Sequence, residues 1–124
     1  MQIRLAQEIL GGRLVSVQNQ FSPSFRSSEP ELELCTELDI AFLAWSPLGG
    51  IGSASSLGAK FAAFQNVADA RGVSPQVVCL AWELAKGPGV IPIPGASRPE
   101  SIIDSATAIE LELTAEERAA LDAA

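Results

Sequence analysis

Histidine and tyrosine are absent from this 124-residue chain. Two of the commonest side chains for moving protons near neutral pH are therefore missing from any chemistry it takes part in. The lack of histidine also withholds the commonest metal ligand. Cys35 and Cys79 stand far apart, without the close pairing of zinc or redox motifs, so no metal site is expected and both read as small buried residues. There is no basic run. A formal charge of −7 repels phosphate backbones and anionic headgroups, which argues against nucleic acid as a partner. No apolar stretch approaches the roughly 20 residues that span a bilayer, and Met1 to Leu5 lack the apolar region of a signal peptide. The expectation is a cytoplasmic protein with no membrane association.

What is present belongs to a folded domain. Hydrophobic residues make up 48% and charged residues 19%, a globular balance, and the length suits one domain over residues 1–124. Gln2 to Leu10 carry apolar residues at helical spacing, stopped by Gly11-Gly12. Val15 to Gln20 read as a strand, and Ser22 to Arg26 as a loop. Ser28 with Glu31, and Pro30 in the first turn, predict a capping box for a helix to about Leu38. Ile40 to Trp45 form the next strand, followed by a mobile Gly/Ser-rich loop from Gly49 to Ser56.

Leu57, Phe61, Phe64, Val67 and Ala68 mark the face of one helix that ends near Gly72. Ser74-Pro75 caps a second, which carries Trp82 on its apolar face, and Val90 to Ile93 form a third strand despite Pro92. Ser97 with Glu100 predicts a capping box for a helix to about Ala106, and Thr114 to Glu117 open the last. This alternation is that of a parallel α/β sheet, in which helices cover the strands. Glu110, Glu112, Glu116 and Glu117 read as solvated helix charge rather than catalytic carboxylates.

One segment points to a ligand. Ala44-Trp45-Ser46-Pro47-Leu48-Gly49-Gly50 ends a strand in an aromatic ring, a hydroxyl, a rigid proline and two flexible glycines, which suits a loop lying close against a planar ring and a phosphate. Together with Val15 to Pro23, Ser74 to Trp82 and Ile91 to Glu100, in this order, it resembles the aldo-keto reductase family over nearly the whole chain. The resemblance implies the C-terminal portion of a (β/α)8 TIM barrel, about three βα units plus a C-terminal helix.

It further implies binding of NADP as NADPH, with NAD as the alternative, and reduction of aldehydes or ketones by hydride transfer. Gln18 matches the glutamine that holds the nicotinamide carboxamide, and Trp45 the aromatic ring stacked on the nicotinamide. Ser46, Leu48, Gly49 and Gly50 match the pyrophosphate loop. Gly95, Ala96, Ser97 and Arg98 match the loop that receives the 2′-phosphate, and Asp104 an adenine contact. Many members have Lys-Ser at Gly95-Ala96, Arg at Ser101 and Glu-Asn at Asp104-Ser105, so phosphate recognition would rest on Ser97 and Arg98.

The family's catalytic Asp, Tyr, Lys and His lie on earlier strands that this chain lacks, and no catalytic residue is assigned here. The isolated chain is expected to be inactive, with a carbonyl substrate bound only by a full-length enzyme. The competing reading is a non-catalytic, barrel-derived interaction or nucleotide-sensing protein. Either way, unpaired strand edges and the apolar faces of Val15, Val17, Ile40, Phe42, Val90 and Ile91 predict self-association.

Overall fold

The computed structural model describes residues 2–50 and 53–124. Three strands, β1 (Ser16–Gln20), β2 (Ala41–Trp45) and β3 (Val90–Ile93), form a parallel sheet in the order β1-β2-β3. Parallel neighbours require crossovers, and helices supply them. α1 (Gln2–Ile9) precedes β1, and α2 (Glu29–Glu37) joins β1 to β2. α3 (Leu57–Lys60), α4 (Ala62–Arg71) and α5 (Pro75–Leu84) join β2 to β3. α6 (Pro99–Ala106), a 3-10 turn over Thr107–Glu110 and α7 (Ala115–Asp122) follow. The predicted three βα units and closing helix are present. Ile51 and Gly52 of the predicted mobile loop lie outside the described residues, and from Ala54 to Ser56 that loop forms a 3-10 turn.

Local chemistry explains most boundaries. Gly11 and Gly12, at φ 58° and 79°, stop α1, and Gly72 at φ 66° ends α4 in the left-handed conformation that glycine tolerates best. The Ser74 hydroxyl accepts from the Val77 amide at 3.1 Å, capping α5. Thr114 and Glu117 form a reciprocal capping box at α7, and Arg71 pairs with Glu117 at 2.9 Å. Pro92 is accommodated by the sheet. Phe42 N–H donates to Gly89 O at 2.9 Å, so alternation along β3 turns the nitrogen of Pro92 to the open edge, where no ladder bond is lost.

Three expectations about the helices are corrected. Ser28 is buried but makes no side-chain cap bond, because its φ/ψ of −90°/6° is not the extended geometry that aims a hydroxyl at the first turn. Ser97 is not a cap either: Arg98 occupies the N-cap position of α6 and offers no side-chain bond. The helix predicted from Leu57 to Gly72 breaks at Phe61, whose φ/ψ of −127°/87° turns the chain between α3 and α4. Leu57 and Phe64 are buried on either side of the break, so the apolar spacing runs through it unchanged.

The core lies between the sheet and its helices. Phe42, Ala44 and Val90 face that layer and are at most 3% exposed, as is Ile40 just before β2. The expectation that Ile40, Phe42 and Val90 would be left uncovered is therefore wrong, since α2 and the α3–α5 layer already cover them. Register places Gln18, Leu43 and Ile91 on one rung and Gln20, Trp45 and Ile93 on the next, all on the opposite face. No helix among the described residues covers that face: Ile91 is 49%, Trp45 40% and Ile93 39% exposed. Val15, just before β1, is exposed as expected.

A clasp at Arg26 closes the far side. Its guanidinium donates to the main-chain oxygens of Asp122 at 2.7 Å, Leu121 at 3.2 Å and Ala124 at 3.1 Å, satisfying carbonyls at the end of α7. The same group lies 4.8 Å from the ring centroid of Trp82, with the Lys86 ammonium at 4.7 Å. Burial pushes the Asp122 carboxyl up, but hydrogen bonds from Lys86 and Trp82 outweigh it and hold the group below its usual value.

Arg26→Ala should lower unfolding free energy by about 2–4 kcal/mol through lost charge-assisted bonds and ring contact. Denaturant midpoints would show it, with proteolysis moving first to α7, and Arg26→Lys should recover little because one ammonium cannot span the three carbonyls. The bare sheet face should bind an apolar-sensitive dye and drive association. Ile91→Lys with Ile93→Lys should reduce both while leaving the helical circular dichroism signal unchanged.

Candidate functional site

At the C-terminal end of β2 the chain leaves Trp45 through Ser46, whose φ of 49° is left-handed in a residue other than glycine. Such a conformation costs on the order of 1–3 kcal/mol and persists only where its surroundings impose it. Gly49 N–H donates back to Ser46 O at 3.0 Å, and Gly49 and Gly50 follow at φ 86° and 95°. A Cβ at Gly49 would stand 3.2 Å from Ser53 Cβ and 3.4 Å from Ser24 Oγ, so this turn is packed against the loop after β1. Pro47 and Leu48 are buried beneath it. The result is a tight backbone cradle at the strand ends.

Beside the cradle opens a cleft of about 740 Å³. Leu48 lines one side, and Gly95, Ala96, Ser97, Arg98 and Asp104 line the other, so six residues singled out from the sequence converge on one space. Gln18, Trp45, Ser46 and Gly49 do not line it. Gln18 and Trp45 lie on adjacent rungs of the uncovered sheet face, and Ser46 and Gly49 form the cradle between the two regions.

Sequence reasoning missed Ala54, Ser55 and Gln76, which also line the cleft. Gln76 Nε2 donates to Ala54 O at 2.6 Å, tying the β2–α3 loop to α5. A polar side chain in the first turn after a serine cap was the available signal. Glu100 and Ser101, read as cap and departure, are lining residues too.

The cleft's electrostatics are mixed. Arg98 is exposed and makes no ion pair among the described residues, and α6 starts beside it without a side-chain cap; Pro99 has no N–H and the Ser101 amide donates to Arg98 O at 3.1 Å, so the guanidinium is the main group offered to an anion. Asp104 is engaged through one oxygen: the Ser74 hydroxyl donates to its Oδ2 at 2.6 Å, joining α6 to the cap of α5. Chemically, the arrangement can hold an extended ligand with a flat ring near Trp45, an anion at the cradle and another at Arg98. The described residues contain no group of three or more acidic, Cys or His side chains able to hold a metal. No helix among them is long and apolar enough to cross a membrane.

Parallel βα units with a glycine cradle and a ligand cleft at the C-terminal strand ends define part of an α/β barrel whose site is built from βα loops. The model of the aldo/keto reductase family matches residues 2–124, and the chain belongs to that family. An uncharacterized oxidoreductase of Schizosaccharomyces pombe is 34% identical over 109 residues, which cover 88% of this chain and 34% of the relative. A 6-dehydroglucose reductase of Novosphingobium aromaticivorans is 33% identical over 118 residues, covering 89% and 38%. The crystal structure of an aldo/keto reductase from Klebsiella pneumoniae in complex with NADP and acetate superposes with a TM-score of 0.77 at 28% identity, covering 88% of this chain and 38% of that one. The chain thus spans just over a third of the length of these relatives.

Ser74→Ala should cost about 1–2 kcal/mol through the lost cap and free Asp104 from α5. Denaturant unfolding should register the loss, and faster amide exchange in α6 than in α4 would show that the link to Asp104 is what orients α6.

Proposed function

We propose that this chain forms the dinucleotide-binding wall of an NADPH-dependent aldo-keto reductase acting on aldehydes or ketones. The observation that carries the reading is the convergence of Leu48 with Gly95 to Arg98 and Asp104 on one cleft, next to a glycine turn packed too closely on Ser53 and Ser24 to admit a side chain at Gly49 without a shift. These features fit a dinucleotide. Trp45 offers the exposed ring for nicotinamide to stack on, and the Gln18 amide, one rung away on the same face, can pair with a carboxamide. Ser46 and the amides of Gly49 and Gly50 suit a pyrophosphate, Ser97 and Arg98 the 2′-phosphate, and Asp104 the edge of the adenine.

When bound, the nicotinamide supplies the hydride for carbonyl reduction. This chain's residues orient that ring and hold its phosphates; the proton must come from elsewhere. The sequence has no Tyr or His, both thiols are buried, and Lys86 is held by Glu29 at 2.6 Å and Asp122 at 2.9 Å. The chain alone is therefore inactive in this reading.

NADPH should quench tryptophan emission weakly, and Trp45→Ala should abolish that quenching. Arg98→Ala should weaken NADPH roughly tenfold, the loss of one charge-assisted contact, while barely changing NADH. Equal losses for both nucleotides would remove Arg98 from the 2′-phosphate site. Sustained NADPH oxidation with an aldehyde panel by the mass-verified chain would overturn the assigned inactivity.

A further inference from the structure

Glu83, in the last turn of α5, is wholly buried. Its Oε2 has no hydrogen-bond partner among the described residues, and its Oε1 lies 3.9 Å from the sulfur of Cys79, one helical turn back. That sulfur is in turn 3.4 Å from the carbonyl oxygen of Pro47, inside the loop that makes the cradle. An acid, a thiol and a loop carbonyl thus form a file from the core to the candidate pyrophosphate site.

Counting protons gives the file a direction. A thiol has a single hydrogen, so it can donate to Pro47 O or to Glu83 but not strongly to both. With Glu83 neutral, its O–H can donate to the sulfur while the S–H donates to Pro47 O. With Glu83 ionised, the carboxylate is the stronger acceptor and draws the S–H inward. Pro47 O then loses its donor. We propose that Glu83 is a positioning residue for the Ser46–Gly50 loop, acting through Cys79, so that ionising the acid releases the loop and weakens dinucleotide binding. The dinucleotide arm of this proposal rests on the function proposed above; the loop arm does not.

The surroundings leave Glu83 in control. Burial pushes its carboxyl well above the ordinary value, with the bond to Cys79 opposing. Burial, reinforced by Glu83, pushes the Cys79 thiol well above its own, against the opposing field of Arg26 from the turn before α2, so the sulfur keeps its proton. Elements packed on α5 bring other charges, but these are engaged elsewhere or make no bond to the pair among the described residues. Lys60 of α3 reaches Ser53, Asp69 and Arg71 of α4 reach Gln65 and Glu117, and Asp104 of α6 takes Ser74. Glu100 of α6 and Glu110 of the 3-10 turn are exposed. Lys86, at the end of α5, is held by Glu29 of α2 and Asp122 of α7. Glu31 of α2, whose Oε2 is buried without a partner, acts on Cys35.

The test is hydrogen exchange of the peptide containing Ser46 to Gly50 in the full chain, corrected for intrinsic rates, from mildly acid pH up to the alkaline limit of the folded state, because burial moves the ionisation of Glu83 upward. Loop protection should fall across that range in the native chain and stay constant in Glu83→Gln, whose neutral amide can still donate to the sulfur. Cys79→Ala should hold protection at the released level, that of the native chain with Glu83 ionised, at every pH and so abolish the pH dependence. Parallel curves for the native chain and Glu83→Gln would overturn the proposal.

Should Glu83→Gln fail to fold, the native chain decides alone. The infrared band of a buried protonated carboxyl must disappear over the same pH range as loop protection, and transitions that do not coincide sink the idea. NADPH affinity should weaken roughly two- to tenfold over that range in the native chain, the scale of one hydrogen bond, and remain flat in Glu83→Gln. No NADPH binding at any pH, with loop protection behaving as stated, would fail the dinucleotide reading and leave the loop mechanism standing.

Discussion

The indole of Trp82 is the contact on which the described fold turns. It stacks on Phe21 at 5.5 Å and 14°, and meets Phe64 edge-on at 5.7 Å. Its Nε1 donates to Asp122 at 2.8 Å, while Arg26 and Lys86 lie over the ring. One side chain therefore joins the end of β1, the α4–α5 layer, the turn before α2 and the last helix. Aromatic burial supplies apolar contact area and the two cations add attraction to the ring face, so removing either would weaken several elements together.

That arrangement also explains the uneven finish of the molecule. The helical side of the sheet is closed by interlocking aromatics, whereas the opposite side presents Leu43, Trp45, Ile91 and Ile93 on neighbouring strands. A complete barrel buries such residues against strands from the rest of the ring. The same uncovered face carries Gln18 and Trp45, so the ring-binding part of the candidate site sits where the chain is least enclosed, while the Arg98 cleft is assembled from this chain's own loops.

Much of this was legible in the residues, for identifiable reasons. Strands and crossovers follow from apolar runs punctuated by Gly, Pro and Ser, and Ser74 and Thr114 cap the helices they were expected to cap, since each adopts extended φ/ψ. Ser28 carries the same pattern without that backbone geometry, and Ser97 stands one residue before the N-cap position that Arg98 takes. The break at Phe61 was invisible because apolar spacing repeats on both sides of it. Leu48, Gly95 to Arg98 and Asp104 were found through the resemblance. Gln76 was missed because its role depends on a carbonyl 22 residues earlier that only folding brings close. Glu83 has no local signal at all: a glutamate on a helix ordinarily reads as surface.

The Arg26 clasp has a bearing on how this chain is made. Its donors and acceptors are separated by 95 to 98 residues, the whole span of the sheet and its crossovers. Contacts so distant along the chain bring the slow, late steps of folding. A nascent chain emerging from the ribosome can form β1, β2 and their helix early, yet the cationic lid over Trp82 must wait until residues 121–124 have been synthesised. Until then Arg26 lacks the carbonyls that anchor it beside the indole, so the last residues of α7 complete a contact that begins near the start of the sheet.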